Sequence, residues 1–417
     1  MALPFMFGAS SILQTLVGIR PIREGILRHL NTEDLLNLAR TASTIRHSII
    51  DNGWDINDKL SRFIKYPIQF RSQLGRSGAL ISGSFALQFF ERTLWPDSDL
   101  DIVVQDGVNL EGLSKYLTTV ERYKMVEEEP HEYNPSVYIK EVQTYRYMKT
   151  GDADLDGSKD AKSKIQLTVT HCIPLLAILR TYYTTALINF ISWNKAYSLF
   201  PRATFIYHET MPLKPVNEHY GRLHSKYSKR GWRMRTQPIT YDVFPGRQSP
   251  FGRKANRRVG DKDTRIIRLD TTFVERPSRP DFVLEYSGFQ NAVRKNLASR
   301  ISAELFKSPS LRYQYVYPAS GPSSIFWAEI SKFLSRNTYG QLAKMSPEDL
   351  VNAVGGLSPQ DACPYALEFK HPEGWDYYDD LVPELYDHME DKGVFEIAHY
   401  KLRAFSATAE HKAFHTK

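Results

Sequence analysis

Ile81-Ser82-Gly83-Ser84-Phe85-Ala86-Leu87-Gln88-Phe89-Phe90, joined through Trp95-Pro96-Asp97 to Ser98-Asp99-Leu100-Asp101-Ile102-Val103-Val104, decides how this chain is read. Ala79-Leu80-Ile81-Ser82 is a strand signal, broken by Gly83-Ser84 and followed by a helix carrying Phe85, Leu87, Phe89 and Phe90. Leu100 to Val104 is a second strand. Side chains alternate along a strand, so Asp99 and Asp101 project together while Leu100 and Ile102 enter the core. Two adjacent carboxylates repel unless a cation neutralises them. Mg²⁺ suits such a pair, taking one or two carboxylates together with substrate phosphates. Gly83-Ser84 opens the helix, where free backbone N–H groups and the helix dipole attract phosphate. Glycine permits close approach, and the Ser84 hydroxyl can donate a hydrogen bond. Asp99 and Asp101 are therefore the candidate catalytic and metal-binding residues, and Gly83 and Ser84 the candidate nucleotide-binding residues. Metal beside phosphate is the arrangement of phosphoryl or nucleotidyl transfer.

This order of motifs resembles the nucleotidyltransferase fold of the DNA polymerase β superfamily, which reads Gly-Ser, a helix, then Asp-x-Asp on the next strand. Fourteen residues, Phe85 to Ser98, lie between the two motifs here, and the Trp95-Pro96-Asp97 turn accounts for a gap longer than usual. The resemblance covers about a third of the chain. It implies a mixed sheet with flanking helices, a nucleoside triphosphate ligand, Mg²⁺ or Mn²⁺ as cofactor, and transfer of a nucleotide to an RNA or protein hydroxyl. It also implies a third carboxylate on a later strand. The best match is Lys164-Ile165-Gln166-Leu167-Thr168-Val169-Thr170, where Gln166 stands at the acidic position. Glutamine orients a group but cannot take up a proton. A non-catalytic protein of this fold, acting as a binding or adaptor protein, is the alternative expectation. Asp152, Asp154 and Asp156 fall in a polar hairpin loop, a poor substitute for a strand position.

Around this core the sequence divides into four parts. Residues 1–65 read as short helices, 66–215 as the core, 216–279 as a basic insert or loop, and 280–417 as a mainly helical region with an acidic end. The whole is expected to be α+β. Ile26 to Arg40, with Asp34-Leu35 and Leu38, resembles the back half of an F-box, which implies a Skp-type adaptor as partner; a plain helical hairpin packed on the next domain is the other reading. Val137 to Gln143 and Thr144 to Met148 read as two strands, and Ile173 to Trp193 reads as a buried helix packing on the sheet. Lys195 and Arg202 follow it as cations that reach either phosphate or solvent. Arg222 to Arg268 holds 14 Lys or Arg against three acids, interleaved with Tyr220, Tyr227, Trp232, Tyr241 and Phe251. That mixture suits single-stranded RNA, or else a solvated loop.

Length and composition bound the rest. At roughly 100–200 residues per domain, 417 residues make two or three domains. A hydrophobic fraction of 42% excludes wholesale disorder. The net charge of +7 permits a polyanionic partner without requiring one. Two cysteines cannot build a disulfide framework or a Cys-rich zinc site, and the 12 histidines are scattered. Apolar runs fall far short of the roughly 20 residues that cross a bilayer, so no membrane is expected. No basic residue precedes Arg20, against a secretory signal, and the expected compartment is cytoplasmic or nuclear.

Overall fold

The computed structural model describes residues 12, 15–16, 18–30, 32–39, 41, 54–126, 136–147, 164–235, 251, 255–293, 299–354, 357–359 and 371–392. Asp152, Asp154, Asp156, Tyr241 and Glu396 lie outside the described residues. The chain divides into two compact units: the first is Met1–Arg253 with Lys262–Ser278 and Val293–Arg300, the second Lys254–Asp261, Arg279–Ala292 and Ile301–Lys417.

The first unit opens with helices α1 (Arg20–His29), α2 (Thr32–Ala39), α3 (Ile56–Ser61) and α4 (Pro67–Ser77). The sequence punctuates them. Asp55 caps α3, accepting from the N–H groups of Asn57 and Asp58, and Gly78 ends α4 in the left-handed region at φ 56°. The fold then alternates β1 (Leu80–Ser82), α5 (Gly83–Glu91), β2 (Leu100–Gln105), α6 (Val108–Thr119), β3 (Tyr123–Val126), β4 (Ile139–Tyr147), β5 (Lys164–Thr170) and α7 (Pro174–Thr181). It continues with β6 (Asn189–Ile191), β7 (Lys195–Ser198), β8 (Glu209–Thr210), α8 (Glu218–Ser228), β9 (Arg233–Met234) and β11 (Arg265–Arg268); β10 (Asn256–Arg258), between the last two in sequence, belongs to the second unit.

Eight strands form one mixed sheet in the order β11-β7-β6-β1-β2-β5-β4-β3. Only β2 and β5 run parallel, with Asp101 opposite Gln166; β1 runs antiparallel to β2, with Ser82 opposite Asp101. Alternation explains the layering. Leu100, Ile102 and Val104 on β2, and Ile165 and Leu167 on β5, are fully buried in one core with Ala86, Leu87 and Phe90 of α5. Leu27 and Leu35 are buried in this same core.

Several sequence expectations change here. The two strands foreseen between Val137 and Met148 are a single strand, β4, because Gln143 and Thr144 continue one register against β5. The helix begun at Ile173 stops at Thr181: Tyr182 turns extended, and Asn189 to Ser198 instead makes the β6–β7 hairpin, with Phe190 stacked on Tyr197. Tyr182, Tyr183, Thr184 and Thr185 form a β-branched and aromatic run that disfavours continuing the helix. Buried Arg71 of α4 fixes that hairpin, donating from Nε to the Trp193 carbonyl at 2.9 Å and from Nη1 to Asn57 at 3.0 Å. The basic segment is not a plain loop. It supplies α8 and sheet strand β11, and Tyr227 and Trp232 lie in the core.

The second unit combines helices with short strands. It holds α9 (Phe282–Glu285), β12 (Gly288–Val293), β13 (Ser299–Ser302), β14 (Glu304–Phe306) and β15 (Tyr315–Tyr317) before α10 (Pro322–Leu342), α11 (Pro347–Val354) and α12 (Leu381–Lys392). Tyr315-Val316-Tyr317 pairs antiparallel with Glu304 to Phe306, a choice that β-branched and aromatic residues favour. Trp327, Phe326, Tyr315, Val382 and Tyr386 pack in its core. Buried Asp379 gathers the N–H groups of Arg312 (2.7 Å) and Tyr313 (3.2 Å) and the Tyr315 hydroxyl (3.1 Å).

Candidate functional site

The candidate residues converge where β1 gives way to α5 beside β2 and β5. Gly83 takes φ +64°, a left-handed conformation that turns the chain from strand into helix. A Cβ at this position would stand 2.2 Å from Asp101 Oδ2. The glycine therefore makes room for the aspartate itself, not only for a phosphate as the sequence suggests. Asp101 Oδ2 accepts from the Ser84 N–H at 3.4 Å, so the start of α5 already faces an internal anion. Ser84 is buried at 9% exposure.

Asp99 precedes β2 and Asp101 lies on it, and the two carboxylates act on each other. Burial, then repulsion from Asp99, pushes the Asp101 carboxyl up from its usual range to about 7, against the opposing pull of the Ser84 N–H, Lys226 and Lys164. On the neighbouring strand, Gln166 stands in register with Asp101. With its amide oriented to satisfy both ends, Nε2 donates to Asp101 Oδ1 at 3.2 Å and Oε1 accepts from Lys164 Nζ at 3.1 Å. Lys164 Nζ lies 3.8 Å from Asp99 Oδ2. Asp99, Lys164, Gln166 and Asp101 thus form one continuous polar chain across two parallel strands.

A tyrosine pair adjoins it. The Tyr182 hydroxyl donates to Ser82 Oγ at 2.7 Å, and Ser82 Oγ reaches the Asn189 carbonyl at 3.2 Å. Burial first, and the nearby Asp101 charge second, raise the hydroxyls of both Tyr182 and Tyr227 far above the ordinary phenol value, so both remain donors. The turn before Asp99 is pinned as well: Gln88 Nε2 donates to Ser98 Oγ at 3.0 Å, and Arg62 Nη1 donates to the Trp95 carbonyl at 2.9 Å. Above this turn Arg230 lies over the Trp95 ring at 3.8 Å.

The sequence reading placed Gly83, Ser84, Asp99, Asp101 and Gln166 in this group, and the fold brings all five together. It omitted Lys164, Tyr182, Lys226 and Tyr227. For Lys164 the signal was present, since a residue two before Gln166 on a strand shares its face. The other three come from segments read as buried helix and insert, and only the tertiary structure carries them to Asp101. Lys195 and Arg202 are placed elsewhere: Lys195 pairs opposite Arg268 within the sheet, and Arg202 reaches the Tyr207 hydroxyl. The described residues include no cluster of three or more metal-ligating His, Cys, Asp or Glu side chains. They also include no helix long and apolar enough to cross a membrane. No family model matches the chain, and no curated protein matches it.

Proposed function

We propose that the first unit is a nucleotidyltransferase-like domain of the DNA polymerase β type. On this reading it binds a nucleoside triphosphate with a divalent cation, Mg²⁺ or Mn²⁺, and transfers a nucleotide to an RNA or protein hydroxyl. The observation that carries this reading is Asp101, set between Ser82 and Gln166 in register and at the N-terminus of α5, with Asp99 beside it.

The residues present fit a cation. Two hard oxygen donors stand side by side, and burial first, with repulsion from Asp99 second, holds the Asp101 carboxyl high, a repulsion that a bound cation would relieve. Asp99 and Asp101 would hold the ion, which when bound would supply charge neutralisation for phosphate oxygens. This chain's residues do the rest. Gly83 admits the Asp101 carboxylate against the helix start, Ser84 offers its N–H, and Gln166 orients Asp101 from the adjacent strand. Lys226 of α8 acts with its positive charge on Asp101. The exposed position of Lys226 suits contact with a phosphate chain.

A second reading, a non-catalytic protein of this fold that binds a ligand or client, is favoured by one observation: the third acidic position is an amide hydrogen-bonded to Asp101. An amide cannot serve as the base for an attacking hydroxyl.

Labelled nucleoside triphosphates separate the two. Wild type is expected to bind them in a Mg²⁺-dependent manner, and Asp99→Ala with Asp101→Ala to lose that binding while remaining folded. Label transferred to RNA or protein by wild type, and lost on Asp101→Asn, supports the enzyme. Mg²⁺-dependent binding without transfer, with weak transfer gained on Gln166→Glu, supports the non-catalytic form. Equal nucleotide binding by wild type and the double variant refutes both.

A further inference from the structure

The aspartate pair carries a cation of its own. Lys164 opens β5 two residues before Gln166, so its side chain emerges on the face that bears Asp101. Its Nζ lies 3.8 Å from Asp99 Oδ2 and 3.1 Å from the Gln166 amide oxygen, and the side chain is only 13% exposed. Its charge also acts on Asp101. A half-buried ammonium at this place is drawn to the fixed anions beside it. At 3.8 Å the contact with Asp99 is longer than a close charge-assisted hydrogen bond. Lys164 therefore sits in the field of the two carboxylates and the amide dipole.

The charge count gives this arrangement a consequence. With both carboxylates ionised the pair presents two negative charges; Lys164 lies nearest and offsets one of them, and Lys226 acts on Asp101 from α8. The acidic residue that would have restored the balance is replaced by neutral Gln166. A metal ion held by the pair would face the charge of the Lys164 ammonium, and like charges repel.

We propose that Lys164 is a resident cation occupying one of the cation places at Asp99 and Asp101, so that the wild-type site takes one divalent ion fewer than its aspartates would otherwise admit. This deepens the reading of Asp99 and Asp101 as metal ligands and rests on it for the identity of the ligands. Lys164 then acts as fixed charge compensation, with Gln166 as the relay that spaces it from Asp101.

Mn²⁺ alone, titrated into the full chain and counted by electron paramagnetic resonance of the free ion, tests this directly. Lys164→Met keeps the length of the side chain and removes the charge. It is expected to bind one more Mn²⁺ per chain than wild type. Lys164→Arg, which keeps the charge, should retain the wild-type count. Asp101→Asn added to Lys164→Met should abolish the extra ion. Circular dichroism and the Mn²⁺-induced rise in melting temperature show that each variant is folded and that the ion binds the folded form. If Lys164→Met does not fold without metal, recovery of the native spectrum on adding Mn²⁺ supports the proposal, because the missing charge is then supplied by the ion. Equal Mn²⁺ counts in folded wild type and Lys164→Met overturn it, and Mn²⁺ binding by wild type would then leave the proposed function standing. The reverse result, no ion in wild type and one in Lys164→Met, upholds Lys164 as the resident cation and overturns divalent-dependent transfer.

Discussion

Replacing Gly83 by alanine tests the geometry on which the site depends. Two costs are legible in the structure. A non-glycine residue at φ +64° pays about 1–2 kcal/mol for left-handed backbone. The new Cβ would also fall 2.2 Å from Asp101 Oδ2 and 3.0 Å from its Cβ, so the carboxylate must swing away and surrender the Ser84 N–H. That hydrogen bond to a charged group is worth about 1.5 kcal/mol, the low end of the range because it is long. The sum is about 3 kcal/mol, or a fall of roughly 5 °C in melting temperature for a unit of this size. Gly107→Ala is the control. Its φ of +89° imposes backbone strain, but no atom lies within 4 Å of the added Cβ, so it should lose only the strain. The decisive measurement is a double-mutant cycle by urea unfolding. In an Asp101→Ala background the cost of Gly83→Ala should fall by about 1.5 kcal/mol, because the displaced carboxylate is gone. Additive effects in this cycle would refute the claim that Gly83 is glycine to admit Asp101.

Asp101 predicts a pH dependence without metal. Its carboxyl sits at about 7 in the folded chain against an ordinary value near 3.8, so the native state holds the proton more tightly than the unfolded state. That stability is fully present below about pH 4 and is lost as pH rises towards 7; Asp101→Asn should remove this slope in thermal melts from pH 4 to 8. At the N-terminal helices, Leu35 is fully buried in the core, so Leu35→Asp should cost several kcal/mol and be read in unfolding, whereas exposed Ile22→Asp should leave the melting temperature within about 2 °C. In the second unit, Asp379→Ala leaves the N–H groups of Arg312 and Tyr313 without their acceptor, and should destabilise that unit by about 3 kcal/mol in denaturant unfolding.

How much of this was written in the sequence depends on how local each signal is. The strand at Leu80, the turn at Gly83, the helix to Glu91 and the strand from Leu100 all follow from alternation and glycine within a window of twenty-odd residues, and the structure has each of them. That Asp99 shares a face with Asp101, and Lys164 one with Gln166, follows equally from period two. What the sequence could not decide was pairing. That Ser82 and Gln166 flank Asp101 from opposite sides depends on strands meeting across distances that no local pattern records. Tyr182 came to the site because the chain left its helix at Thr181 and returned as a sheet hairpin. Lys226 and Tyr227 came because a basic segment, indistinguishable by composition from a solvated loop, buries Tyr227 and Trp232 and so docks its helix beside the aspartates. Hydrophobic burial chose among the structures that local propensity allowed, and burial is a property of the assembled core, not of any single segment.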